Sequence, residues 1–151
     1  MSLRIGINGF GRIGRLALRS LWAQVAAGEV TLVRINDPGG DAATFAHLLE
    51  FDSVHGQWAP GQGMAARQDA IVIDGHEVAF STHKTIAESD WSSCDVVIEC
   101  SGKMKSTDKL NAYLDQGVGR VVVSAPVKEE GVLNVVVGVN DHLFEPAKHR
   151  I

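Results

Sequence analysis

The sequence predicts an α/β domain, a doubly wound parallel sheet with helices on both faces. Three observations predict it. Short apolar strands alternate with helical patterns, as in sheets that are buried on both sides. The first strand runs directly into Gly9-x-Gly11-x-x-Gly14, and a helical pattern begins at once. Four strand ends carry small or polar residues: Asn8-Gly9, Asn36-Asp37, Ser101-Gly102 and Ser124-Ala125-Pro126. Ligands in open α/β sheets bind beyond such carboxyl ends.

Each element follows from local pattern. Leu3–Asn8 is an apolar strand. A helix runs from about Gly11 to Ala26, with Ile13, Leu16, Ala17, Leu21 and Trp22 near helical spacing, and Gly28 ends it. Val30–Ile35 is the second strand. Asp41 is the expected N-cap of a helix over Ala42–Glu50, with Phe45, Leu48 and Leu49 inward. Phe51–Gln68 reads as a long loop rich in Gly and Gln. Ala70–Ile73 and Glu77–Phe80 flank Asp74-Gly75, a hairpin signal. Val96–Glu99 is a fully apolar strand up to its last residue. A helix over Thr107–Asp115 leads to strand Arg120–Ser124, and Asn134–Val137 is the last expected strand. Right-handed crossovers then wind the sheet in both directions.

The glycines divide the work of a phosphate-binding turn. Gly9 permits the tight exit from the strand, Gly11 keeps side chains away from a pyrophosphate, and Gly14 lets the helix pack closely on the strand. The free N–H groups and positive end of the new helix then face the phosphates. An acidic residue completes the pattern. Asp37 lies 23 residues after Gly14, against roughly 20 in the dinucleotide-binding fingerprint. Its carboxylate can accept hydrogen bonds from the adenosine ribose and repels the 2′-phosphate of NADP. Asp37 is also a good opener for a turn through Pro38-Gly39-Gly40, and Ser101 and Ser124 are equally ordinary turn residues.

Composition narrows the classes of function. A chain of 151 residues is one domain by size, with 45% hydrophobic and 21% charged residues. The formal net charge is −4, and the basic residues are scattered, so neither nucleic acid nor an anionic membrane is an expected partner. No apolar stretch approaches the ~18 residues of a membrane span. Arg4, Asn8 and Arg12 interrupt the apolar segment after Met1, which is unlike a signal peptide. The two cysteines, Cys94 and Cys100, suit reduced thiols in a cytoplasmic protein. The six histidines include no i, i+4 pair, and no metal site is expected.

In their order, these residues resemble the phosphorylating glyceraldehyde-3-phosphate dehydrogenases. The matching segments are Gly6–Arg15 (GINGFGRIGR), Ile35–Pro38 (INDP), His47–Gly56 (HLLEFDSVHG), Asp95–Gly102 (DVVIECSG), Val121–Pro126 (VVVSAP) and Val137–Asp141 (VGVND). The resemblance spans essentially the whole chain. It implies NAD as cofactor, on a Rossmann sheet, with Asn8, Gly9, Gly11, Gly14 and Asn36 in the binding region. Arg12 and Ile13 would present backbone N–H groups to the pyrophosphate, and Asp37 would hold the adenosine ribose. Lys84 stands where the family usually has an arginine near the adenine side. Ser101 and Gly102 would line the nicotinamide half, with Ser124 near the nicotinamide ribose or amide.

The resemblance also implies what is missing. The family's catalytic cysteine and histidine lie beyond the equivalent of Ile151. The chain is therefore similar to an amino-terminal cofactor domain over residues 1–151, without the substrate domain. No catalytic residue is expected here, because neither Cys94 nor Cys100 has a visible partner to lower its pKa. In the intact family a thiolate attacks the aldehyde of glyceraldehyde 3-phosphate, hydride passes to NAD, and phosphate takes the acyl group from sulfur. Such enzymes are usually cytoplasmic homotetramers, so a chain limited to this half is expected to expose apolar surface. Gly39-Gly40 is similar to dual-cofactor enzymes of photosynthetic organisms. Ser81–Lys84 and Ser101–Lys105 are similar to paralogues associated with arsenate detoxification, where arsenate replaces phosphate. A free-standing NAD-binding sensing module and an erythrose-4-phosphate-type dehydrogenase are the alternative readings.

Overall fold

A computed structural model describes residues 2–151. Strand β1 (Leu3–Asn8) leads into helix α1 (Arg12–Ala26), β2 (Val30–Asn36) and α2 (Ala42–Glu50). Five short strands follow: β3 (Phe51–Asp52), β4 (Gly56–Gln57), β5 (Met64–Ala66), β6 (Ala70–Ile73) and β7 (His76–Ser81). Then come β8 (Val96–Glu99), α3 (Thr107–Leu114) and β9 (Arg120–Val123). Seven strands make one sheet, ordered β5-β6-β7-β2-β1-β8-β9. β7, β2, β1, β8 and β9 are parallel, while β5 and β6 are antiparallel additions at one edge. The chain winds outward from β1 through β2, then returns to β8 on the other side. The doubly wound reading is thus correct, and the crevice where winding reverses lies at the end of β1.

Two cores cover the two faces. On one, Leu18, Trp22 and Val25 of α1 and Phe45 and Leu49 of α2 pack on Ile7, Ile35, Ile71 and Phe80. On the other, Leu110 and Tyr113 of α3 join Trp91, Cys94, Val97 and Val121. Gly6 faces this second core. A Cβ there would lie 2.8 Å from the Cys94 sulfur and 3.0 Å from the Trp91 ring. The indole therefore packs directly on the strand backbone. At the start of the same strand, the guanidinium of Arg4 pairs with Asp95 and holds its carboxyl down at about 2.

Several expectations are corrected. The buried stripe of α1 is Gly14, Leu18, Trp22 and Val25. Ile13 is 55% exposed, because Gly14, not Ile13, is the residue of the first turn that faces the strand end. Residues 51–68 are not one loop. Asp52 accepts N–H bonds from Val54 and His55, closing the β3–β4 turn, and β5 joins the sheet edge. Residues 134–137 form no strand. Asn side chains take the place of a ladder there: Asn134 bonds the backbone N–H and C=O of Val127, and Asn140 accepts from Val136. Apolar character without a neighbouring strand left this run outside the sheet, leading into a turn at Val137, which is 85% exposed. The Asp74-Gly75 hairpin is as expected, both residues at positive φ.

The glycine motif sets the junction of sheet and helix. A Cβ on Gly14 would lie 2.1 Å from the carbonyl oxygen of Gly9, while one on Gly11 would meet nothing within 4 Å. Gly14→Ala is therefore expected to cost about 2–3 kcal/mol of unfolding free energy, since it forces a clash with fixed backbone. Gly11→Ala, which meets no clash but puts alanine at the helix N-cap, should cost less, about 1 kcal/mol at most. Urea denaturation of both variants checks this, and equal stabilities would show that the helix does not depend on close approach at Gly14.

Candidate dinucleotide-binding cleft

The cleft opens at the carboxyl ends of β1, β2, β7 and β8. It has a volume of about 390 Å³ and is lined by Asn8, Gly9, Asp37, Pro38, Gly39, His83, Lys84, Ser101, Lys103 and Met104. Gly9 makes the sharp exit from β1 at φ 88°. A Cβ there would lie 2.3 Å from the Ser101 nitrogen, so the turns after β1 and β8 are in direct contact. Helix α1 starts next to this point. Gly11 is its N-cap, with no side-chain cap and no acidic residue in the first turn. The leading N–H groups of α1 thus have no partner within the helix and carry the positive end of its dipole.

Asp37 completes the rim. One carboxylate oxygen accepts the Phe10 N–H at 2.6 Å and the other the Gly39 N–H at 2.7 Å. These bonds fix the carboxylate beside the glycine turn and leave lone pairs for a ligand hydroxyl. Gly39 must be small, because a Cβ would approach the Asp37 carboxylate to 2.9 Å. Arg15 braces the turn from below by donating to the Phe10 carbonyl at 2.9 Å. Across the cleft, Glu88 accepts the N–H groups of Lys84 and Thr85, which hold its carboxyl below the usual range. That pins the backbone that carries the Lys84 side chain.

Beneath the cleft lies a buried polar chain. Ser81 and the His83 N–H donate to Asn36 Oδ1. Asn36 donates to Asn8 Oδ1 at 2.8 Å, and Asn8 donates to Glu99 at 2.8 Å and to the Tyr113 hydroxyl at 2.6 Å. Tyr113 donates to Glu99 at 2.5 Å, and the Ser101 N–H donates to the other Glu99 oxygen at 2.7 Å. Burial and the neighbouring Glu99 push the Tyr113 hydroxyl far above its ordinary pKa, so it remains a donor.

The structure therefore brings Asn8, Gly9, Asp37, Lys84 and Ser101 to one cleft, with Gly11, Arg12 and Ile13 at the exposed start of α1 and Gly102 in the turn after Ser101. The side chains of Asn8 and Asn36 bond inward, beneath the turns. Ser124 lies on a different groove, about 430 Å³, between β9 and residues 125–151. That groove is walled largely by valines and has no glycine turn or helix start. Sequence reasoning missed Glu99, Tyr113 and His83. The available signal was a charged residue closing an otherwise apolar strand, Val96–Glu99. Burial raises the pKa of both Cys94 and Cys100, which makes them poor nucleophiles. Among the described residues no group of three or more His, Cys, Asp or Glu is placed to hold a metal, and no helix is long and apolar enough to cross a membrane.

Comparison with known proteins agrees with this geometry. Residues 3–107 match the model of the glyceraldehyde 3-phosphate dehydrogenase NAD-binding domain. The chain is 47% identical to glyceraldehyde-3-phosphate dehydrogenase 3 of Nostoc sp., over all of this chain and 44% of that protein. It is 42% identical to a glyceraldehyde-3-phosphate dehydrogenase of Pseudomonas aeruginosa over the same shares. A Bacillus cereus relative of that name is 37% identical over 98% of this chain and 43% of its own length. The chain thus spans less than half the length of these relatives. An open glycine cradle at an uncapped helix start, beside a fixed aspartate, is what NAD binding requires, and the chain belongs to the glyceraldehyde 3-phosphate dehydrogenase NAD-binding domain family.

Proposed function

We propose that NAD binds across this cleft in a particular order. Asp37 holds the adenosine ribose, with Lys84 beside the adenine. The backbone at Gly11, Arg12 and Ile13 takes the pyrophosphate. Ser101 and Gly102 receive the nicotinamide half, and Ser124, on the separate groove at β9, takes no part in this cleft. The observation that carries this reading is the uncapped start of α1 next to the Asp37 carboxylate, with open space where a Gly11 side chain would be. When bound, NAD supplies a hydride acceptor. The chain's own residues bind and orient it, through amides and a carboxylate already fixed in place.

For the whole protein we propose oxidation of glyceraldehyde 3-phosphate with transfer of the acyl group to phosphate, or to arsenate. The names of the relatives support it, as do the segments shared with that family. The nucleophile and base would come from a substrate domain, because the two cysteines here are held as neutral thiols by burial. A cytoplasmic homotetramer is the matching assembly. The exposed Val135, Val136, Val137 and Val139 supply apolar surface for a substrate domain or neighbouring subunit to cover.

Two outcomes follow. Calorimetric titration should show NAD bound at least tenfold more tightly than NADP. At ~4 Å the repulsion between Asp37 and a 2′-phosphate is about 1 kcal/mol in water and about 4 kcal/mol at an effective dielectric of ~20. Asp37→Asn should narrow that gap, and equal affinities in the parent chain would remove Asp37 from the ribose. Incubated alone with glyceraldehyde 3-phosphate, NAD and phosphate or arsenate, the chain should form no NADH. Turnover that disappears in Cys100→Ser would instead place the nucleophile within this domain.

A further inference from the structure

Glu99 is the end point of the buried polar chain. It is 1% exposed, and no cation pairs with it among the described residues. Three donors surround it. Asn8 Nδ2 and the Tyr113 hydroxyl meet one carboxylate oxygen, at 2.8 and 2.5 Å. The backbone N–H of Ser101 meets the other, at 2.7 Å. Asn8 in turn accepts from Asn36, and Asn36 from Ser81 and His83. The donors thus run from Ser81 and His83 through Asn36 and Asn8 to Glu99, while Asn36 Nδ2 also donates back to the His83 carbonyl at 3.0 Å. A buried carboxylate retained in an apolar strand is costly unless its bonds are complete. Here the two oxygens face different parts of the molecule: one faces the core and the other faces the turn that borders the cleft.

We infer that Glu99 is a positioning residue: it holds the Cys100-Ser101-Gly102 turn against the Gly9 turn and so shapes the half of the cleft that lies on the β8 side of β1. The inference rests on the NAD reading. In a doubly wound sheet the two mononucleotide halves lie on opposite sides of the switch point. Asp37, at the end of β2, marks the adenosine side, so the Ser101 turn at the end of β8 borders the other half. The start of the turn is tied to β1 by the Cys100 N–H, which donates to the Asn8 carbonyl at 2.6 Å, but beyond Cys100 the turn has little else to fix it. Gly102 sits at φ 70° in open space, and the Ser101 hydroxyl accepts only the Lys103 N–H, at 3.2 Å. Without the Glu99 bond, Ser101 and Gly102 are held only through Cys100, and the contact between Ser101 and Gly9 can open about that point.

Glu99→Gln separates the two roles. An amide offers one acceptor oxygen and one donor nitrogen. The oxygen is best placed toward Asn8 and Tyr113, where two donors wait. The nitrogen then opposes the Ser101 N–H, donor against donor, and the turn is released while the core bonds survive. The test is titration of the 151-residue chain and its variants with NAD and with ADP, which carries the adenosine and pyrophosphate alone. Glu99→Gln should weaken NAD by tenfold or more and leave ADP within twofold. Tyr113→Phe removes one core donor but keeps the Ser101 bond, so it should lower the melting temperature and leave both affinities within twofold. Glu99→Asp, too short to reach Ser101, should reproduce the split between NAD and ADP.

Equal loss of NAD and ADP in Glu99→Gln, or no loss of either, overturns the proposal. So does loss of folding in both Glu99 variants, which would make Glu99 a core residue only. Failure of the parent chain to bind NAD or ADP would instead refute the cleft itself.

Discussion

The fold and the site both depend on how closely α1 approaches the end of β1. The carbonyl oxygen of Gly9 occupies the place where a Gly14 side chain would begin. Only a glycine pair allows the helix to start there, directly over the strand end. The approach has two consequences. It aims the free amides of the first helical turn at the crevice between β2 and β8. It also brings Phe10 within reach of Asp37, whose carboxylate ties the end of β2 to the same turn. Packing and ligand geometry are thus set by one contact, and Gly11 is left facing space that the protein itself does not fill.

A second level of order lies beneath the cleft. Four parallel strands end at nearly the same height, and their ends are joined by side chains as well as by the backbone ladder. Asn8, Asn36, Ser81 and Glu99 come from β1, β2, β7 and β8, and Tyr113 joins them from α3. Each polar atom in this chain is matched to a partner of the opposite kind, which is what allows such a group to be buried at low cost. Surface charges contribute differently. The exposed Arg67–Glu77 and Lys148–Glu145 pairs lie far from the cleft and add little to stability.

Much of this was legible in the sequence because it depends on local pattern. The Gly9, Gly11 and Gly14 spacing, the Asp41 cap confirmed by its bond to Thr44, and the Asp74-Gly75 hairpin are short-range signals with a single structural solution. What escaped was long-range. Residues 134–137 carry a strand's composition, but a strand requires a partner, and composition does not supply one. The β3–β4 turn depends on Asp52 capturing two amides, which a two-residue strand does not announce. Asn8 and Asn36 read as ligand contacts because they end strands at the switch point, yet their side chains turn inward. The partners of Asn8, Glu99 and Tyr113, are 91 and 105 residues away in sequence, and those of Asn36 include Ser81 and His83, 45 and 47 residues away, beyond the reach of any local rule.

The central claim is that the helix start at Gly11–Gly14 and the Asp37 carboxylate form one dinucleotide site, separate from the valine-walled groove at β9. Amide chemical-shift mapping by NMR during titration with NAD tests it most directly. The account predicts the largest shifts at Gly11, Arg12, Ile13, Gly39 and Ser101, with Val121, Val132 and Asn134 unmoved. Shifts confined to the groove residues, or none at the start of α1, would contradict it.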